Sequence, residues 1–111
     1  MVNANGKVLI VEGKDVELEY TIRKILEYSA QVIVLVYDSV IIPNNIISFD
    51  KNGNELWKIN DILEIQRPTG NVDIQKEDEE ILIVYSSLGM IFRIDIQKKK
   101  LIDKQFLRWE E

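Results

Sequence analysis

The sequence contains no cysteine and no histidine. Without cysteine there is no disulfide, no thiolate nucleophile and no Cys-based metal site. Without histidine the chain lacks the one side chain that titrates near neutral pH unaided, and the commonest transition-metal ligand. Ser-His-Asp and Cys-His catalysis are therefore excluded. Alanine, the best helix former, is nearly absent, whereas isoleucine, valine and tyrosine, all strand formers, are frequent. Positive charge is in deficit: the net charge is −5. That speaks against nucleic-acid binding, which needs clustered Lys and Arg to neutralise phosphates. Long apolar runs are also missing. The strongest, Val32–Tyr37, is far too short to cross a bilayer. The opening "MVNANGKVLIVEG" has no basic start followed by a long apolar core, so no signal peptide is expected. These absences predict a cytoplasmic protein that uses neither nucleic acid nor membrane.

What remains is one domain, residues 1–111, long enough to bury a core. From Val16 the even positions read Val16, Leu18, Tyr20, Ile22, Lys24, Leu26, Tyr28, and the odd ones Glu17, Glu19, Thr21, Arg23, Ile25, Glu27. This period of two predicts a strand with one buried face, broken or bent near Thr21–Lys24. Over Thr21–Ala30 a helix competes, because Ile22, Ile25 and Leu26 also fall at helical spacing. Further strands are predicted in "KVLIVE", "QVIVLVY", "NIISFD", "ELWKI", "EILIVYS", "MIFRIDI" and "KLIDKQFLRW". "QVIVLVY" is apolar on both faces and so belongs inside a sheet. Breakers separate the runs at Gly13, Pro43–Asn45, Asn52-Gly53, Pro68–Asn71, Gly89 and Lys98–Lys100.

Asn52-Gly53 between apolar runs predicts a hairpin. A three-residue loop with Gly53 left-handed would pair Asp50 with Asn54 and Ile47 with Trp57, setting the large apolar groups on one face. A two-residue loop would pair Ser48 with Trp57 instead. Asp50, Asn52, Asn54 and Asp61 sit at calcium-loop spacing, but Glu55 stands where the EF-hand needs glycine, and the flanks are strands rather than helices.

"VIVLVYD" followed by "NIISFDKNGNELWKI" is echoed by "ILIVYSS" followed by "MIFRIDIQKKKLIDKQF", with Asp50 matching Asp95. Ile47, Phe49, Asp50, Gly53 and Trp57 resemble the blade repeat of quinoprotein-like β-propellers. The second copy departs from it: Lys99 or Lys100 stands where glycine would be, and Lys104 near the expected Trp. More closely, the chain from about Val16 resembles short, uncharacterised bacterial proteins carrying one such Trp motif and a degenerate second copy. The resemblance implies an all-β fold: a small antiparallel sheet pair built from about two propeller-blade-like repeats, not a closed propeller, which needs at least four blades. It implies no quinone site, since such sites draw on many blades.

No reaction follows from this sequence, and neither cofactor nor metal is expected. The acidic stretch Asp73–Glu80 has two readings, a docking surface for a basic partner or a solvated loop. Glu77 and Glu79 could pair as acid and base, but nothing separates their pKa values. Lys98–Lys100 reads as a charged hairpin turn guarding an edge strand. Trp57 reads as core. Arg67–Asn71 lies in an irregular stretch that either carries function or hides a short strand "DILEIQ". The expected function is a non-enzymatic protein-binding module, specifically an immunity protein that neutralises a basic bacterial toxin, with Asp73, Glu77, Asp78, Glu79, Glu80 and Trp109 as candidate contacts. The alternative is a scaffold module that oligomerises or completes a larger β assembly. A third reading, an enzyme using only carboxylates, Lys, Tyr or Ser, would need a cleft gathering shifted acids.

Overall fold

The computed structural model describes residues 2–64 and 69–106. Eleven strands follow one another: β1 Val2–Asn5, β2 Val8–Val11, β3 Lys14–Glu17, β4 Ile22–Glu27, β5 Gln31–Val36, β6 Ile46–Asp50, β7 Glu55–Lys58, β8 Asn71–Lys76, β9 Ile81–Ser86, β10 Met90–Asp95 and β11 Lys100–Phe106. Every pairing is antiparallel between chain neighbours. They form a three-stranded N-terminal sheet β1-β2-β3, a four-stranded central sheet β4-β5-β6-β7 and a four-stranded C-terminal sheet β8-β9-β10-β11. The chain is all-β, and its sheets close into neither a barrel nor a propeller. The two four-stranded meanders are the expected sheet pair; the N-terminal meander adds a third layer.

The layers follow from the alternation of side chains along β5, which is buried throughout. Val32, Val34 and Val36 face one way, and with Phe49 they meet Leu9 and Val11 of the N-terminal sheet. Ile33 and Leu35 face the other way, and with Ile46 and Trp57 they meet Ile74, Leu82, Val84, Phe92 and Ile94 of the C-terminal sheet. Successive Cβ atoms point to opposite faces, so a central strand that is apolar from Val32 to Val36 can serve two cores. The first strands of consecutive sheets lie together, β1 against β4 and β4 against β8.

The two four-stranded sheets repeat residue for residue. Gln31↔Asp50, Val32↔Phe49, Ile33↔Ser48, Val34↔Ile47 and Leu35↔Ile46 have their counterparts in Ile81↔Asp95, Leu82↔Ile94, Ile83↔Arg93, Val84↔Phe92 and Tyr85↔Ile91. The bulges coincide as well. The first strands skip at Arg23 and at Val72, and the last strands skip at Leu56 and at Ile102. Asp50 Oδ1 accepts the N–H groups of Asn52 and Asn54 at 2.8 and 2.9 Å. Asp95 Oδ1 accepts those of Gln97 and Lys98, both at 2.9 Å. The shared aspartate is a turn former: its carboxylate replaces the ladder partners that turn N–H groups lose. Gly53 is left-handed at φ 87 and Lys99 at φ 56. The lysine thus occupies the conformation that glycine takes in the first copy.

The expected break is present, as the gap Leu18–Thr21 followed by the bulge at Arg23, and Thr21–Ala30 holds strand β4, the favoured reading over a helix. Two further readings come out differently. The Asp50–Asn54 closure forms, Asp50 N–H bonding to Asn54 C=O at 2.8 Å, but Trp57 faces Ser48, not Ile47. Leu56 is the extra residue: it bulges out, slips the register by one and turns Trp57 away from Phe49. The two aromatics therefore anchor different cores. Finally, "DILEIQ" does not begin as a strand. Asp61 ends a 3-10 turn over Ile59–Asp61, Ile62–Glu64 are irregular, and Ile65 and Gln66 lie outside the described residues.

Candidate partner-binding site

The acidic stretch is the end of β8 and the β8–β9 turn. Its carboxylates are largely spent inside the molecule. Asp73 Oδ1 accepts from Lys24 Nζ at 3.0 Å. Glu77 takes both arms of Arg93, at 2.9 and 2.7 Å, and Arg93 also reaches Asp103 at 3.0 Å. Asp78 Oδ1 closes the turn by accepting the N–H groups of Glu80 and Ile81. Glu79 binds Lys76 Nζ and accepts both the hydroxyl and the N–H of Ser29. Hydrogen bonding to Lys76 and then Ser29 pulls its pKa down to about 2. Arg93 lowers Glu77 in the same way. Both are held ionised by separate cations, so neither keeps a proton to donate at neutral pH. Among the described residues only Glu80 of this turn has a carboxylate without a hydrogen bond or ion pair. The acid turn is therefore a ligature: Ser29 and Glu79 tie the central sheet to the C-terminal one.

A different surface gathers carboxylates that have no such partners. A cleft of about 510 Å³ opens on the face of the central sheet that the N-terminal sheet covers. Leu18, Val36, Ile42 and Ile47 give it an apolar floor, and Tyr20 a wall. Glu17, Glu19 and Glu55 stand on its rim with one cation, Lys58. Among the described residues none of these three carboxylates is engaged in a salt bridge. The cleft exists because of the connection Leu18–Thr21. Leu18 N–H bonds to Lys7 C=O at 2.7 Å and Ile22 N–H to Gly6 C=O at 2.9 Å, so the segment crosses past the β1–β2 turn and leaves the β6–β7 half of the face open.

A profile of one family, described as a domain of unknown function (DUF7957), matches residues 1–106. The chain belongs to the DUF7957 family. No curated protein and no solved structure matches it. The match spans all three sheets, so the N-terminal meander is part of the DUF7957 unit.

The remaining sequence candidates fall as follows in this DUF7957 chain. Trp109, with Arg108, Glu110 and Glu111, lies outside the described residues, as do Arg67 and Pro68. Trp57 is buried at 3 % exposure and is core. Lys98–Lys100 form the β10–β11 turn and the start of the edge strand β11. In the β6–β7 loop the Asp50 carboxylate accepts the N–H of Asn52 and both the N–H and Nδ2 of Asn54. No membrane-length apolar helix exists among the described residues. At the end of the irregular stretch, Asn71 N–H and Nδ2 donate to Asn45 Oδ1 at 3.0 and 3.1 Å, and Asn45 Nδ2 donates to Asn71 C=O at 2.9 Å. Both asparagines are buried. Sequence reasoning missed this pin between two sheets, and it missed the cleft. In the sequence Glu17 and Glu19 are only the polar side of a strand, since nothing local announces which strand end will face a gap.

Proposed function

We propose that the chain is a non-catalytic protein-binding module that receives a basic partner in the cleft rimmed by Glu17, Glu19 and Glu55. The observation that supports this reading is the contrast between two acidic surfaces. Carboxylates already satisfied by neighbouring cations offer little to a ligand, whereas unpaired ones around an apolar floor offer both charge and area. The rim shares the negative sign of the whole molecule, and the two together steer a cationic partner toward it. The specific form of the proposal is a cytoplasmic immunity protein that blocks a basic bacterial toxin acting on nucleic acid. Asp73, Glu77, Asp78 and Glu79 then serve as scaffold, and Glu80 as a peripheral contact.

The test is titration against a basic toxin domain encoded directly upstream, with toxin activity as a second readout. Binding that weakens with salt, and that falls on Glu17→Gln/Glu19→Gln/Glu55→Gln but not on Glu80→Gln, is expected. No association, or the absence of any toxin gene upstream, ends the immunity reading.

A second reading, a scaffold module that joins edges, has its own support. Strand β11 is an uncovered edge exposing Leu101, Ile102 and Phe106 at 39, 45 and 63 %. Sedimentation as a monomer at every concentration removes it.

A further inference from the structure

Consecutive sheets stack with their first strands together, yet the N-terminal sheet has three strands where the other two have four. The open flank runs along β3. This strand lies over the β6–β7 hairpin: a Cβ placed on Gly53 would touch Val16 Cγ2 at 3.0 Å. Among the described residues its outer edge is unpaired. Leu18 N–H bonds to Lys7 C=O at the entry to β2, and Val16 stands opposite Leu9. Strand alternation therefore directs the N–H and C=O groups of Asp15 and Glu17 outward. The edge ends at Glu17, where the cleft begins with Leu18, Glu19 and Tyr20.

We propose that an extended, basic segment of the partner pairs along β3 as a fourth strand of the N-terminal sheet and continues into the cleft. This rests on the cleft reading above and adds the mode of binding. Backbone pairing to Asp15 and Glu17 supplies affinity without regard to sequence, and alternate side chains supply choice. Cationic residues of the segment fall beside Asp15, Glu17, Glu19 and Glu55, and an apolar one meets the floor of Leu18, Ile42 and Ile47. Among the described residues Lys14 is the one cation on β3 and Lys58 the one lining the cleft, so an acidic or neutral strand is disfavoured.

The probe is a capped peptide of alternating lysine and valine, compared by calorimetry with an analogue N-methylated at every residue, which keeps its charge but cannot pair. The unmodified chain is compared with Asp15→Asn and Asp15→Pro. Proline at this outward edge position removes a donor that no ladder bond uses. The expected result is about tenfold weaker binding of the methylated peptide, and about fivefold weaker binding of the plain peptide by Asp15→Pro than by Asp15→Asn, the worth of one backbone hydrogen bond. Equal binding of both peptides overturns strand addition and leaves the cleft reading standing. Binding of neither overturns both. If Asp15→Pro fails to fold, the two peptides on the unmodified chain decide alone.

Discussion

Lys24 and Asp73 occupy the same register position in consecutive sheets, and their side chains meet at 3.0 Å. Lys24 stands opposite Leu35, and Asp73 opposite Tyr85, each beside the bulge of its own first strand. The ion pair thus reports how one meander is laid on the next. It does not hold them there: both side chains are substantially exposed, at 38 and 43 %. A double-mutant cycle with Lys24→Ala and Asp73→Ala is expected to give a coupling below about 1 kcal/mol by urea denaturation. A coupling several times larger would mean that charge, not apolar register, joins these sheets.

The repeat explains why the second copy loses its Trp. Ile33, Leu35, Ile46, Ser48 and Trp57 face the C-terminal sheet; their counterparts Ile83, Tyr85, Ile91, Arg93 and Asp103 face no further layer among the described residues. Asp103 stands in the place of Trp57, and it pairs with Arg93 in the place of Ser48. A terminal layer of a stack needs a polar outer face. Trp57→Ala should therefore cost about 3–5 kcal/mol in stability, whereas Asp103→Ala should stay within about 0.5 kcal/mol. Asp103→Trp should move sedimentation toward larger species than the unmodified chain gives.

Asn45 and Asn71 pin the start of β6 to the start of β8 through three hydrogen bonds. Asn45→Ala strands the buried donors of Asn71, and thermal or chemical unfolding should register a loss of about 1–3 kcal/mol. Next to this pin Gly70 has φ +100, and a Cβ there would lie 2.1 Å from the carbonyl oxygen of Ile42. Gly70→Ala should unfold the chain or cost far more than Gly6→Ala, whose Cβ would meet nothing within 4 Å.

The carboxylates of the acidic turn carry a pH dependence of definite sign. Folding lowers Glu79 from 4.5 to about 2, chiefly through Lys76 and Ser29, and lowers Glu77 through Arg93. A group held below its unfolded value takes up protons more readily once unfolded, so acid favours unfolding. The stabilisation is complete above about pH 4.5 and disappears as the pH falls toward about 2. Glu79→Gln should flatten the acid limb of stability against pH over that window. An unchanged acid limb would show that these contacts do not form in solution.

Much of the architecture was legible because burial imposes period two. The apolar run Val32–Val36 marked a two-faced strand, and the alternation of Val16–Tyr28 marked β3 and β4, but it showed only one buried face: past the bulge at Arg23, Ile25 enters one core and Leu26 and Tyr28 the other. Asp50 and Asp95 revealed the repeat because each must feed a turn. The register of Trp57 was not legible, since the bulge at Leu56 is a tertiary compromise: it moves a large aromatic from one core to the other without any change in local pattern. Strand β1 was missed because "VNAN" has weak strand propensity and is held by β2. The charge of Asp73–Glu80 was plain, but its internal partners Lys24, Ser29 and Arg93 are distant in sequence. Composition therefore showed the charge of that turn but not its internal pairing, and it passed over Glu55, which forms no salt bridge among the described residues.

The most direct test of the account is amide chemical-shift mapping of the labelled chain with a lysine–valine peptide at low salt. The account predicts shifts concentrated at Asp15–Tyr20, Ile42–Asn44 and Glu55–Lys58, fading as salt is added. Shifts concentrated at Glu77–Glu80 with the cleft unmoved, or no shifts at all, would contradict it.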